Sequence, residues 1–123
     1  MKAVDLKDYE GIAATLQHYV EGARSPSAEE MARAFHPSAQ IHGHLGDHIL
    51  ADPIQALFDW HEETGPATDV VIQFSILDIS ETIAVVRVEA DNWAGHRFTD
   101  YLSLLKVEGR WQIVNKIFHA HDG

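Results

Sequence analysis

Cysteine is absent from the 123 residues, which removes disulfide staples, thiolate nucleophiles, thiolate zinc sites and cysteine-held clusters together. Cations are scarce. Nine Lys and Arg stand against nineteen Asp and Glu, a formal net charge of −10. That sign argues against nucleic acid and anionic membrane surfaces as partners. No apolar run approaches the roughly 20 residues of a membrane span. The opening segment carries early acids at Asp5, Asp8 and Glu10 and no apolar stretch, so no secretory leader is expected and a cytoplasmic location is. Also missing are GxGxxG and GxxxxGKS/T loops that cradle phosphates, and the GxSxG elbow of a serine hydrolase.

What is present is ordinary globular material, 46% hydrophobic and 23% charged, enough to bury one core. The length predicts a single domain spanning residues 1–123. Histidine is the oddity: its nine copies equal all Lys and Arg combined, and protonating them all would take the net charge from −10 to −1.

Apolar residues at Ile12, Leu16, Tyr19, Val20 and Ala23 predict a first helix over 9–23. Ser27-Ala28-Glu29-Glu30 reads as a capping box opening a second helix, with Met31 and Phe35 inward and His36 in its last turn, favourably set against the helix dipole. Asp52 as N-cap and Pro53 at the first position predict a third helix, with Ile54, Leu57, Phe58 and His61 on one stripe and Gly65-Pro66 ending it. Residues 39–51 read as a hairpin turning at Gly46-Asp47. Alternating residues then predict strands around 70–76 and 84–90, and a hairpin of 96–107 with 110–119 joined by Glu108-Gly109. Helices followed by an antiparallel meander indicate an α+β fold, about three helices covering one face of a curved sheet.

If strict alternation runs through the last hairpin, Leu104 faces Ile113, Leu102 faces Asn115, Asp100 faces Ile117 and Phe98 faces His119. One face then carries Phe98, Leu102, Leu104, Trp111, Ile113 and Ile117, with Asp100, Asn115 and His119 embedded in it. The other carries Tyr101, Leu105, Val107, Val114 and Phe118 among Arg97, Thr99, Ser103, Gln112 and Lys116. That second face is too apolar for open solvent, and a sheet-to-sheet homodimer is the simplest cover.

The run 51–60 (ADPIQALFDW), the segment 91–101 (DNWAGHRFTDY) and the run 104–119 (LLKVEGRWQIVNKIFH) resemble the putative lumazine-binding proteins of the nuclear transport factor 2-like (SnoaL-like) superfamily. The resemblance implies a cone-shaped α+β barrel with a pocket inside the curved sheet, and usually a homodimer. Its chemistry is diverse, spanning isomerases, dehydratases, cyclases, epoxide hydrolases and non-catalytic binders.

Within such a cone, Asp100 and His119 read as a coupled acid–base pair at the floor of an apolar pocket, or as a structural network fixing register. The expected ligand-facing set is Tyr19, Phe35, His36, Phe58, Trp93, Phe98 and Asn115. Trp60 reads as packing and His61 as a satisfied core histidine. His42 and His44, with His48 across the turn, are candidate metal ligands, but an exposed polar hairpin is the plainer reading, and neither metal nor cofactor is expected. The first expectation is a protein that binds a ring-shaped small molecule. A cofactor-free lyase, isomerase, dehydratase or cyclase is the alternative, and an association module the weaker one.

Overall fold

The computed structural model describes residues 5–121; residues 1–4, where the segment read for a leader begins, lie outside the described residues. Helix α1 (Leu6–Arg24) opens on Asp5, whose carboxylate accepts from the Lys7 amide at 2.9 Å. Ile12, Leu16, Tyr19 and Ala23, spaced at helical period, form its buried face. The second helix is far shorter than the sequence suggests. α2 (Glu29–Ala32) has no side-chain cap, and Phe35 and His36 already belong to strand β1 (Phe35–Leu45). The reason is long-range: the Ala34 carbonyl accepts from the Ile113 amide at 2.9 Å and Phe35 pairs with Ile113, so sheet pairing overrides local helix propensity. His36 therefore sits at no helix end; its Nδ1 accepts from the Ser38 amide at 3.0 Å.

Strand β2 (His48–Pro53) returns from β1 through the expected Gly46-Asp47 turn. Asp52 and Pro53 do not cap the third helix, because both are paired in the hairpin, opposite Ile41 and Gln40. Helix α3 (Gln55–Thr64) starts two residues later, after Ile54 has donated its amide to the Ala39 carbonyl at 2.9 Å. Strands β3 (Val71–Ser80), β4 (Ile83–Trp93), β5 (His96–Val107) and β6 (Arg110–Ala120) complete the chain. Both residues of the Glu108-Gly109 turn have positive φ (51° and 79°), as a two-residue hairpin turn with matching twist requires.

The helices cover an open six-stranded sheet of order β2-β1-β6-β5-β4-β3. β1 pairs parallel with β6, so the sheet is mostly, not wholly, antiparallel. Thr15 on α1 donates to the Trp111 carbonyl at 2.7 Å and Arg24 to the Val70 carbonyl at 3.0 Å, pinning the helix at its middle and at its C-terminal end.

Two bulges decide which side chains enter the core. In β5–β6, Ser103 faces Asn115 but Leu104 faces Ile113, leaving Val114 as the extra residue. Beyond it the phase of β6 flips. Asp100 faces Phe118 and Phe98 faces Ala120, so the register expected from unbroken alternation fails after Leu104. Lys116 and Phe118 turn inward; Ile117 and His119 are exposed, and Asn115 leaves the inner face. In β4–β5 a second irregularity between Ala90 and Trp93, with Asn92 at φ 61°, swings Trp93 into the core at 1% exposure.

Candidate functional site

Tyr19 from α1, Trp93 from β4, Asp100 from β5 and Lys116 from β6 meet at the centre of the molecule. Because Asp100 faces Phe118, it is the diagonal neighbour of Lys116 on the inner face, the relation the sequence suggested for His119. The Lys116 ammonium lies 3.1 Å from Asp100 Oδ2 and also donates to the Tyr19 hydroxyl. The Tyr19 hydroxyl in turn donates to the same Oδ2 at 3.1 Å. All three are buried: Asp100 and Tyr19 are 0% exposed and Lys116 4%. Burial, reinforced by the negative charge and hydrogen bond of Asp100, holds the Tyr19 phenol well above its ordinary pKa. It stays protonated and acts as a donor.

An ammonium has three N–H groups. Two of those on Lys116 are used by Tyr19 and Asp100. The nitrogen also lies 5.0 Å from the Tyr19 ring centre and 5.2 Å from that of Trp93, so aromatic faces share the charge. Asp100 Oδ1 and Trp93 Nε1 are buried without a hydrogen-bond partner among the described residues. Such orphaned polar atoms cost free energy; these two belong to side chains that contact the lysine, and a third, His61 Nδ1 on α3, leaves that buried histidine only half satisfied.

Lys116 is also part of the wall of a cavity of about 330 Å³. The rest of the lining comes from Ile41 and Leu45 on β1, Leu50 on β2, Ala56, Leu57 and Trp60 on α3, Trp93, His96 and Phe98 around the β4–β5 turn, and Phe118 and Ala120 on β6. Ring contacts join Trp60 to Trp93 at 6.1 Å, Trp60 to Phe98 at 6.3 Å and Phe98 to Phe118 at 6.0 Å. The result is a mostly apolar chamber with two polar side chains, Lys116 and His96, in its lining, the pattern that small-molecule sites share.

Of the residues singled out in the sequence, Trp93 and Phe98 line this chamber, and Tyr19 stands behind Lys116. Phe35 and Phe58 are one layer further back, in edge contacts at 5.9 Å from Tyr19 to Phe35 and 5.7 Å from Phe35 to Phe58. His36 is not among the lining residues. Asn115 Oδ1 accepts from His42 Nδ1–H at 3.0 Å, and His119 packs its ring 4.8 Å from that of His121. His119 cannot share a proton with Asp100 from there. His61 is wholly buried and donates Nε2–H to the Ser25 carbonyl at 2.8 Å. Lys116 escaped sequence reasoning, although the adjacent apolar pairs Ile113-Val114 and Ile117-Phe118 already hint that β6 changes phase between them. Trp60 was read as packing and lines the cavity as well.

A family model described as "Putative lumazine-binding" matches residues 7–119. The chain is 44% identical to an NTF2-like protein of unknown function from Methylobacillus flagellatus KT, covering 96% of this chain and 95% of that one, with a TM-score of 0.92. A second NTF2-like protein of unknown function, from Shewanella baltica OS155, is 35% identical, with 99% and 100% covered and a TM-score of 0.91. Among curated proteins, Aldolase FrzH of a Cladobotryum species is 29% identical over 121 residues, 98% of this chain and 97% of that protein.

Proposed function

The chain belongs to the NTF2-like superfamily, in the family described as putative lumazine-binding, and from that premise we propose that it binds a ring-shaped, largely apolar carbonyl compound in the cavity and performs cofactor-free acid–base chemistry on it. Carbon–carbon lyase or aldol chemistry is the favoured class. The observation that carries this reading is the buried Lys116 in a cavity wall whose other members, His96 apart, are apolar. A buried ion pair contributes little net stability compared with apolar residues of the same size. Placed against a cavity, it supplies what a carbonyl reaction lacks in an apolar medium, a fixed positive donor for the oxygen that becomes negative as an enolate or alkoxide forms. Asp100 and Tyr19 hold that donor in place and balance its charge. The aldolase name borne by one relative agrees with this class. The acid–base role first assigned to Asp100 and His119 passes to Lys116, with Asp100 behind it.

The test is a panel of β-hydroxy ketones, enones, hydroxy-ketones and epoxides on ring skeletons, read by thermal shift and by turnover. A ligand at a hundred times its dissociation constant adds about 2.7 kcal/mol to stability. Saturable shifts with turnover of one carbonyl class are expected. Shifts with no turnover across the panel would leave a binding protein and remove the catalytic half. No shift with any compound would remove both.

A further inference from the structure

We propose that Lys116 is a nucleophilic amine that condenses with an aldehyde or ketone seated in the cavity to form a Schiff base. The inference rests on the carbonyl-binding reading above and names the bond through which the lysine would act.

The chain has four lysines, at positions 2, 7, 106 and 116. Lys7 is exposed, and Lys106 is held by Asp8 at 2.7 Å and is not among the residues lining the cavity. Only Lys116 among the described lysines combines burial, an apolar wall and contact with the cavity. A lysine amine becomes a nucleophile when an apolar surrounding favours its neutral form or a nearby base takes its proton. Asp100 Oδ2 at 3.1 Å is that base. Tyr19 is not a competing acceptor, because burial and the Asp100 charge keep its phenol protonated; its oxygen and O–H brace the pair.

The step balances within these groups. Asp100 takes one proton from the Lys116 ammonium, leaving a neutral amine whose lone pair attacks the carbonyl carbon. As the new C–N bond forms, the carbonyl π electrons pass to oxygen, which takes one of the two protons still on nitrogen and becomes a hydroxyl, the other staying on nitrogen. Asp100 returns its proton to that hydroxyl, the C–O bond breaks, and water leaves with the nitrogen lone pair completing the iminium. The buried ion pair is then an iminium facing the same carboxylate. No net charge has been created in the apolar interior, where an uncompensated one would be costly. The iminium draws electrons from the neighbouring carbon, which is how aldol-type bonds are made or broken without a metal.

The experiment uses the intact protein and naphthaldehyde, an aromatic aldehyde with no conjugated alkene to react elsewhere. Binding is followed by quenching of the tryptophans, two of which, Trp60 and Trp93, line the cavity. In parallel the mixture is reduced with cyanoborohydride and the adduct mapped by peptide mass spectrometry. Saturable quenching with one dominant naphthylmethyl adduct on Lys116 is the expected result, together with loss of that adduct in Lys116→Arg. Saturable quenching with adducts confined to Lys2, Lys7, Lys106 or the terminal amine would overturn the Schiff base and leave the binding site standing. Neither quenching nor a Lys116 adduct would overturn both. The mapping is done on the unaltered chain, so the answer does not depend on any variant folding.

Discussion

Replacing Lys116 by Met deletes the charge and keeps most of the side chain, and it leaves Asp100 0% exposed with a single remaining donor in Tyr19. Breaking one side of a buried pair costs about 3–5 kcal/mol, because the partner stays buried and uncompensated. Asp100→Leu strands the lysine instead and should cost about the same. A chain of this length holds roughly 6–18 kcal/mol in all, so each single variant should fold but with much reduced stability. The double variant Lys116→Met with Asp100→Leu is the informative one. It removes both charges together and puts apolar volume against Trp93 and Leu102, so the remaining deficit is mainly the orphaned Tyr19 hydroxyl, about 1–3 kcal/mol. Adding Tyr19→Phe should recover most of that. Urea unfolding followed by tryptophan fluorescence and circular dichroism measures the parent and all four variants. The expected outcome is a double variant more stable than either single one, a strong non-additivity. Single variants that each lose less than about 1 kcal/mol, or a double variant that loses the sum of the two, would refute the pair as a buried, mutually dependent ion pair.

Gly22→Ala should destabilise the protein despite the gain in helix propensity, since a Cβ there would stand 2.5 Å from the backbone of Met31; overpacking of about 1–3 kcal/mol outweighs a propensity gain of about 1 kcal/mol, and a urea midpoint equal to or above the parent's would contradict it. Asp8 has its pKa lowered chiefly by the hydrogen bond from Lys106, against partial burial and with help from the Trp111 N–H, so its contribution is present above pH of about 4 and is lost as pH falls through the folded-state value. Asp8→Asn should therefore narrow the difference in urea midpoint between neutral pH and pH of about 3, and an unchanged difference would count against the pairing. On the outer face Ile83 lies beside Leu105 and Tyr101 beside Ile117, all of them exposed, and we propose that a second copy covers them. Ile117→Glu should shift a dimer to monomer in sedimentation, whereas a monomeric parent at micromolar concentration would sink the proposal.

Most of the elements were legible because their signals are local. The period of α1, the Gly46-Asp47 and Glu108-Gly109 turns, the Gly65 stop and the alternation of β3 to β5 all follow from neighbours a few residues apart. The ends of α2 and the start of α3 were not, because Ala34 and Ile54 give their backbone bonds to Ile113 and Ala39, partners 79 and 15 positions away. The cavity was half legible: Trp93 and Phe98 could be chosen as aromatic candidates, and Asp100 as an acid on an inward strand face. Its charged member could not.

From its order of residues alone, this chain reads as an acidic α+β fold with an inward Asp100 and a Tyr19 on the buried stripe of its first helix, since composition, periodicity and turn chemistry act over short range. Which cation meets Asp100 was decided by tertiary structure. One unpaired residue, Val114, exchanges the two faces of β6, bringing Lys116 in and sending His119 out. A strand's side chains alternate with a period of two, so a single bulge reverses every assignment beyond it, and whether a bulge forms depends on pairing with β5 and β1 rather than on β6 itself.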